Sequence, residues 1–412
     1  MSLSLRIFLS LVAGLALGSA LAALAAPAVA ATALAIFEPI GGLWLDALQM
    51  TVIPLVIGLL FTGIADAAGS ARTSRLAGRA LLLFAVLIAG GGAITVVFVP
   101  WLLDVWPIGA DAVRALVAGE GAAAAPATMT AAAWLRGFVP TNVFAALASG
   151  AMLQLVVFTG AFAMATTRLP DAQRLALTGF FDAVTQAMLV LVQWILALAP
   201  VGVLALAAMV GLKAGVGAVG VLAHYVAIVI AAQLVILVLT YVLAAVATRP
   251  GLWAFARAAV PAQVVAVSTQ SSIATLPAMV EATAVLKVPD AVARLVLPMA
   301  VSVFRITSAP ANLAVVLYVA HLHGLVLGPA ELATGVAVAF AVSIASVGLP
   351  GQVSFITSVA PIALAMGVPI GALPLLIAVE MVPDIFRTLG NVTADIAVTA
   401  VLARGEALDS DA

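Results

Sequence analysis

Charged residues are scarce in this sequence. Asp, Glu, Lys and Arg together account for 8% of its 412 residues, whereas an ordinary soluble domain contains about 25%. Hydrophobic residues account for 65%, and the mean hydropathy is +1.30. A soluble domain of this length does not need so much apolar sequence. The composition therefore excludes a soluble globular protein and predicts an all-α polytopic membrane protein.

Cysteine is absent, which excludes disulfides, thiolate chemistry and cysteine metal sites. The formal net charge is −1, so the chain lacks the basic character of a nucleic-acid-binding protein. An intramembrane protease would need a Ser–His or paired-Asp centre. No histidine lies near Asp384 in the sequence, and Asp384 and Asp395 are about 16 Å apart along one predicted helix. We therefore expect no enzyme activity and no cofactor.

Long apolar runs divide the chain into candidate membrane spans. Arg6 begins a run that resembles a signal peptide, but the run continues to Ala31 and more spans follow directly, which favours a first transmembrane helix. Residues 104–129 are predicted to form an external loop. The eight predicted transmembrane spans cover residues 5–31, 39–67, 79–103, 130–166, 175–210, 217–247, 291–324 and 369–403, and two shorter apolar pairs lie at 253–286 and 330–366.

The placement of lysine and arginine predicts the orientation. If the N-terminus is cytoplasmic and the spans alternate, eleven basic residues face the cytoplasm and three face outwards, which is a strong positive-inside bias. The eleven are Arg6, Arg72, Arg75, Arg79, Arg168, Arg174, Arg249, Arg257, Lys287, Arg294 and Arg404; the three are Arg114, Arg136 and Lys213. This distribution of basic residues holds only if each of the two short apolar pairs, 253–286 and 330–366, enters and leaves the membrane by the same side. It therefore predicts two re-entrant hairpins, with both termini on the cytoplasmic side of a bacterial inner membrane.

The tips of these two pairs contain residues that interrupt helices. Residues 268–277 read STQSSIATLP, and residues 343–351 read SIASVGLPG. Irregular backbone at membrane depth persists only where protein or water satisfies it. Two interrupted segments in corresponding places are typical of a transporter with inverted repeats. Two kinked helices remain the alternative interpretation.

Polar side chains form a stripe on the last apolar segment. The spacings of 4, 3, 4 and 4 residues hold them within roughly 80° of one helical face. The stripe consists of Glu380, Asp384, Arg387, Asn391 and Asp395. A further charge, Arg305, lies in an earlier apolar segment. Because a charge in hydrocarbon costs several kcal/mol, such residues usually mark a ligand or ion path. The spacing of Asp384 and Arg387 also allows a structural ion pair.

An ordered set of motifs resembles the glutamate transporter homologue family, the dicarboxylate/amino acid:cation symporters. The resemblance covers nearly the whole chain. The motifs are MTVIPLV at residues 50–56, VPTN at 139–142, APVGV at 199–203, SSIATLP at 271–277, GLPG at 348–351 and DIFRTLGNVTAD at 384–395.

This resemblance implies a homotrimer of elevator-type transporters in lipid. The scaffold would comprise residues 1–78 with the first and second helices and residues 130–216 with the fourth and fifth. The transport domain would comprise residues 79–129 with the third helix and external loop, residues 217–252 with the sixth helix, and a core at residues 253–412. That core would contain a hairpin, the seventh helix, a second hairpin and the eighth helix.

The resemblance also implies a binding site for a small acidic amino acid such as glutamate or aspartate, or for a dicarboxylate. Asp384 would bind the ammonium group, Arg387 and Ser308 the distal carboxylate, and Asn391 and Ser272 the α-carboxylate. A planar guanidinium grips a carboxylate through two hydrogen bonds. The further substrate-binding residues that it implies are Ser271, Leu349, Gly351, Val353 and Thr388. The second hairpin would be the outer gate, with Ser346, Gly348 and Pro350 at its tip.

Several positions depart from the family pattern. Residues 304–308 read FRITS where the family has its sodium-binding Asn-Met-Asp-Gly-Thr motif, and Leu87 and Ile88 replace a hydroxyl pair of the same ion site. Asn391 and Asp395 retain part of a different sodium site, which leaves one weak Na+ site open. Gln270 and Ile273 alter the first tip, and Val353 replaces a glycine near the ligand.

These departures favour proton coupling without Na+. Arg305 and Arg387 against Glu380, Asp384 and Asp395 leave a charge of −1, and an acidic amino acid adds another −1. Protonation reduces the cost of moving this charge through a low dielectric. Glu380 and then Asp395 are the candidate proton carriers, and Arg305 would replace a lost cation, because arginine stays charged. The alternatives are a Na+-coupled carrier of amino acids or C4-dicarboxylates with the same fold, and a receptor that does not transport.

Overall fold

The computed structural model describes residues 3–73, 75–108, 139–214, 217–247, 251–345 and 351–410. Across these ranges the chain consists of helices joined by turns, with no β-strand. In chain order the helices are α1 (Leu3–Leu24), α2 (Pro27–Thr73), α3 (Arg75–Val105), α4 (Val143–Ser149), α5 (Met152–Thr166), α6 (Asp171–Ala197), α7 (Ala199–Ala214), α8 (Gly217–Ala247), α9 (Gly251–Thr269), α10 (Ser272–Val285), α11 (Asp290–Val303), α12 (Ser308–Leu322), α13 (Pro329–Ala345), α14 (Gly351–Ala365), α15 (Leu373–Leu376) and α16 (Met381–Ser410).

Eight helical segments of the described ranges are long and apolar enough to cross a bilayer. This finding confirms an all-helical polytopic membrane protein, but the eight are not the same set as the predicted spans. The predicted span 130–166 is described only from residue 139 and contains two short helices, α4 and α5. Asn142 caps the start of α4 by accepting hydrogen bonds from two backbone N–H groups, and Gly150 ends it at φ 65°. Instead, α9 is counted among the eight helical segments that are long and apolar enough to cross a bilayer.

Two other boundaries differ from the prediction, and proline accounts for the first of them. The first helix ends at Leu24 rather than Ala31, and α2 begins directly at Pro27. Proline lacks an N–H group and is favoured at the first position of a helix, so it begins a new helix more readily than it continues an old one. The predicted span 175–210 is divided between α6 and α7, and the indole of Trp44 donates a 3.0 Å hydrogen bond to the carbonyl of Ile195 near the junction.

Small residues bring α1 and α7 into close contact. A Cβ atom at Gly14 would lie 2.5 Å from the carbonyl oxygen of Leu204, and one at Gly211 would lie 2.6 Å from that of Leu15. Gly14 and Gly18 form a small-xxx-small pair, which allows the backbones of membrane helices to approach. These helices lie in the part of the chain that the resemblance assigns to the scaffold.

The last helix, α16, is surrounded by the helices of the predicted transport domain. It packs against α8, α9, α10 and α11, and makes further contacts with α3, α12 and α14. The residues of its inner faces are buried, including Val392, Ile396, Ala397 and Ala400. This packing places the polar stripe of α16 inside the helical bundle.

Two breaks in the helices lie beside α16. The helices α9 and α10 pack against each other and are separated only by Gln270 and Ser271, and Gln270 has a positive φ of 52°. The second break, residues 304–307, separates α11 from α12, and Phe304 stacks on Phe84 of α3 with ring centroids 4.6 Å apart. The helices α13 and α14 also pack against each other, and residues 346–350 between them lie outside the described ranges.

Candidate functional site

Arg387 binds two carboxylates in the interior of the protein. Its Nη2 lies 2.5 Å from Oε1 of Glu380, and its Nη1 lies 3.0 Å from Oδ1 of Asp384. The three residues are at most 9% exposed. The ion pair that the spacing of Asp384 and Arg387 allows is therefore present, and Glu380 joins it as a second anion. The cluster carries a formal charge of −1.

The predicted last span, residues 369–403, is interrupted before most of the polar stripe: α15 ends at Leu376, and α16 begins at Met381, directly after Glu380. Residues 377–380 form turns, and the backbone N–H of Asp384 bonds to the carbonyl of Glu380 at 2.9 Å. Apart from the ion pair, neither oxygen of the Glu380 carboxylate has a hydrogen-bond partner among the described residues. The same is true of Nε of Arg387. The cluster therefore retains donors and acceptors that its internal contacts do not use.

Thr307 connects the break before α12 to the polar stripe. Its hydroxyl donates to the carbonyl of Arg387 at 2.7 Å and lies 2.8 Å from Oδ1 of Asn391, and its backbone N–H donates to the same Oδ1 at 3.0 Å. Since an N–H group only donates, the atom of Asn391 that faces it is the amide oxygen. A side chain at Gly390 would collide with the methyl group of Thr307, so glycine is required for this approach.

These bonds reduce the ability of Asn391 to bind a sodium ion. Its amide oxygen already faces both the N–H and the hydroxyl of Thr307, and a cation would have to compete with these contacts. Asp395, the other candidate ligand, is 1% exposed, and neither of its carboxylate oxygens has a hydrogen-bond partner among the described residues. In the place of the expected hydroxyl pair, Ile88 belongs to the hydrophobic core, and Leu87 is partly buried and packs against that core.

Arg305 lies in the same break, two residues before Thr307. It is half-buried and interacts electrostatically with Asp384, Asp395 and Arg387. Its charge acts on the Asp395 carboxylate. The side chain predicted to replace a cation therefore interacts with the charges of Asp384 and Asp395, two of the acidic residues of α16.

Ser308 and Thr388 lie on the helices that carry this cluster. Ser308 is the first residue of α12 and is 3% exposed. The hydroxyl of Thr388 donates to the carbonyl of Asp384 at 3.0 Å, so it is bonded within α16. The predicted ligand groups Ser308, Asp384, Arg387 and Asn391 are therefore all buried around the start of α12 and the first half of α16.

The first helical break presents Ser271 and Ser272 differently from one another. The hydroxyl of Ser271 caps α10 by accepting a 3.2 Å hydrogen bond from the N–H of Ala274, whereas Ser272 is the first residue of α10. Both are half-buried. Gln263 fixes α9 to α16, because its amide nitrogen donates to Thr393 at 2.9 Å and to Tyr241 of α8 at 2.7 Å.

The predicted gate lies mainly outside the described residues. Ser346, Gly348, Leu349 and Pro350 fall in the range 346–350. Gly351 is the first residue of α14, and Val353 follows in its first turn, with a side chain that is outside the description. The roles predicted for these residues therefore remain predictions.

Two residues of the site were not predicted from the sequence. Thr307 lies within the FRITS segment, but its spacing gave no sign of three contacts to a helix some eighty residues away. Tyr225 of α8 is fully buried and interacts electrostatically with Glu380 and Arg387. Two features of the sequence could have drawn attention to Tyr225: the chain has three tyrosines, and Tyr225 lies within an otherwise strongly apolar span.

Comparisons with known proteins agree with this architecture. The chain is 26% identical to the proton/glutamate-aspartate symporter of Escherichia coli strain K12 over 381 residues, covering 90% of this chain and 85% of the relative. It is 26% identical to the proton/sodium-glutamate symport protein of Bacillus subtilis strain 168, covering 90% and 86%. It is also 26% identical to the C4-dicarboxylate transport protein of Brucella anthropi, covering 91% and 84%.

A family-level comparison covers almost the full sequence, including both helical breaks and the polar stripe of α16. The sequence model of the sodium:dicarboxylate symporter family matches residues 3–405. This chain therefore belongs to the sodium:dicarboxylate symporter family.

Proposed function

We propose that this protein is a secondary active symporter of small acidic amino acids such as aspartate and glutamate. The observation that carries the proposal is the buried cluster in which Arg387 binds Glu380 and Asp384. A free acidic amino acid carries the same two kinds of group, an ammonium for Asp384 and a carboxylate for Arg387. The ligand would exchange its own charges for those of the internal ion pairs, which limits the cost of desolvation.

Proton coupling without Na+ is the second part of the proposal. The sodium ligands of the family motif are replaced in residues 304–308, and Asn391 is engaged by Thr307. A carboxylate of the substrate at Arg387 competes with Glu380 for the same guanidinium. A displaced Glu380 beside Asp384 would add a like charge to a buried site, and a proton removes that charge. Glu380 is thus the first candidate for the proton carrier, and Asp395 is the second.

Arg305 is proposed to act as a fixed cation beside Asp395. Guanidinium does not lose its proton in proteins, so it neutralises a carboxylate in every state of a transport cycle. A carrier with such a fixed charge does not need a metal ion at that position. The attraction between the charges of Arg305 and Asp395 supports this role.

The proposed carrier is a homotrimer in the bacterial inner membrane, with both termini cytoplasmic. Its scaffold comprises residues 1–78 and 130–216, and its transport domain comprises residues 79–129, 217–252 and 253–412. The helices α9 and α10 form one re-entrant hairpin, and α13 and α14 form the other. The transport domain moves as an elevator. The lysine and arginine distribution supports the orientation, and the family match supports the domain division.

The second candidate is a carrier of C4-dicarboxylates, and the alternative coupling ion is Na+. One observation favours the first part: Asp384 is already paired with Arg387, so a ligand without an ammonium group would leave Asp384 partnered if Arg387 keeps that bond. The relative from Brucella anthropi is named a C4-dicarboxylate transport protein. The carboxylates of Asp384 and Glu380 nevertheless favour a ligand that brings a positive charge.

Uptake into proteoliposomes tests both parts. We expect aspartate or glutamate to accumulate under an inward proton gradient in the absence of Na+, and succinate to accumulate less. Arg305→Met should abolish this accumulation, whereas Arg294→Met is the matched control, because Arg294 forms an exposed ion pair with Asp290 outside the site. A wild-type carrier that ignores the pH gradient and responds steeply to Na+ would refute the proton mechanism. Uptake of succinate alone would refute the amino-acid assignment.

A further inference from the structure

Tyr225 has a buried hydroxyl that its surroundings do not satisfy. The residue is 0% exposed, and its hydroxyl has no hydrogen-bond partner among the described residues. A buried polar group without a partner is costly, and native proteins contain few of them. Such a group requires a physical explanation.

The other two tyrosines of the chain differ in this respect. The hydroxyl of Tyr318 donates to the carbonyl of Val221 at 2.9 Å and lies 3.1 Å from Nδ1 of His224. The hydroxyl of Tyr241 accepts a 2.7 Å hydrogen bond from Gln263. Both hydroxyls therefore have protein partners. Among the three, Tyr225 is the one whose hydroxyl is left available within the described part of the chain.

The position of Tyr225 relates it to the Arg387 cluster. It lies on α8, which packs against both α12 and α16. Its ring meets that of Tyr318 at 5.3 Å with an interplanar angle of 68°, so its orientation is held by an aromatic contact. The charged groups that act on its hydroxyl are Glu380 and Arg387, and the hydroxyl of Tyr318 acts on it as well. Since α8 packs against α16, a phenol on α8 with a free hydroxyl can supply a second donor to a carboxylate that the Arg387 guanidinium binds.

We propose that Tyr225 is a substrate-recognition residue, whose hydroxyl donates a hydrogen bond to the carboxylate that the ligand places at Arg387. This inference rests on the proposed function, since it specifies how the acidic ligand is recognised. It adds α8 to the helices that form the site, and it predicts selectivity for a ligand with a distal carboxylate. A neutral side chain would leave the phenol without a charged acceptor.

Tyr225→Phe separates this role from a purely structural one. Phenylalanine keeps the ring and its contact with Tyr318 but removes the unpartnered hydroxyl. We expect the thermal stability of the purified carrier without substrate to be unchanged or higher, and the Kd for aspartate to rise roughly 10- to 100-fold, as for a lost hydrogen bond to a charged group. Tyr241→Phe is the matched control on the same helix. It removes a satisfied hydroxyl, so stability should fall while the Kd for aspartate stays within about threefold.

A spectroscopic measurement keeps the test independent of how well the variant folds. Because the chain has three tyrosines, fluorotyrosine labelling of the wild-type protein gives a 19F spectrum whose signals can be assigned with the phenylalanine variants. Aspartate should shift the Tyr225 signal and leave the Tyr241 signal in place. An unshifted Tyr225 signal, or an unchanged aspartate Kd in Tyr225→Phe, would overturn the inference. If the wild-type protein binds neither aspartate, glutamate nor succinate, the proposed function itself fails.

Discussion

The change Glu380→Gln tests whether one carboxylate links substrate binding to proton uptake. In the structure, Arg387 is bound by Glu380 at 2.5 Å and by Asp384 at 3.0 Å. Glutamine has nearly the same shape as glutamate but carries no charge. The substitution therefore removes one of two anions while Asp384 still neutralises Arg387. We expect the variant to fold, because no buried charge loses its only partner.

The magnitude follows from the charges that the ligand brings. If the distal carboxylate of aspartate displaces Glu380 from Arg387, the charged Glu380 is left near the carboxylate of Asp384. Two like charges about 4 Å apart repel by about 4 kcal/mol at an effective dielectric constant of about 20. This energy equals the work of moving a proton through about three pH units. In the wild type, aspartate should therefore bind together with a proton, and its affinity should increase as the pH falls. With one linked proton, the Kd changes by up to about tenfold per pH unit.

The assay is a titration of aspartate affinity against pH, combined with two transport measurements. Between about pH 5 and pH 8, the wild-type log Kd should change with a slope approaching one, and that of Glu380→Gln should be nearly flat. The variant should still exchange internal for external aspartate, but it should not accumulate aspartate under a proton gradient. Asp395→Asn is the companion variant that reports on the second candidate carrier. A full pH slope and full accumulation in Glu380→Gln would refute the reasoning, and their loss in Asp395→Asn alone would transfer the role to Asp395.

Three further predictions concern neighbouring groups. Arg387→Ala should weaken the binding of acidic substrates by more than about a hundredfold, because it leaves buried carboxylates without their cation. Asp384→Asn should weaken the binding of aspartate more than that of succinate, and binding titrations of both variants with both ligands measure these effects. Thr307→Val should lower stability by about 1–3 kcal/mol, because its hydroxyl contacts Arg387 and Asn391, and a thermal melt without ligand measures this; an unchanged melting temperature contradicts it. A cysteine at Ser346 should react with an impermeant reagent from outside and be protected by aspartate, whereas labelling only from the cytoplasm would reverse the proposed topology.

The sequence allowed the membrane class and the polar stripe to be predicted because both depend on local pattern. A charge in an apolar run is conspicuous. Glu380 was predicted on the last helix but lies in the turn before α16, whereas the spacing of Asp384, Arg387 and Asn391 defines one face of a helix whatever surrounds it. All three are buried, as expected of a polar face inside a bundle. The ordered motifs predicted the family in the same way, since each is a short stretch of consecutive residues.

Helix boundaries and contacts between residues far apart in the sequence were harder to predict from the sequence. Hydropathy alone does not separate Leu24 from Ala31, since both lie in one apolar run, and the boundary depends on how Pro27 begins the next helix. The bond from Thr307 to Asn391 joins residues far apart in sequence, and no periodicity encodes such a contact. Tyr225 was missed for the same reason, because its significance depends on the absence of a partner, which is a property of the packed structure.

The arrangement of Arg387 explains how one cluster could both select a substrate and couple its movement to protons. A guanidinium offers a limited number of donors, and two of its nitrogens already face carboxylates of the protein. A ligand carboxylate therefore competes with an internal anion, whereas a ligand without a carboxylate has nothing with which to displace it. The same displacement that identifies the ligand as acidic leaves Glu380 in need of a proton. In this reasoning, acidity of the substrate and proton coupling are two consequences of one exchange at Arg387. If the charge of Arg305, which acts on Asp395, neutralises that second anion as proposed, a single proton would accompany each ligand.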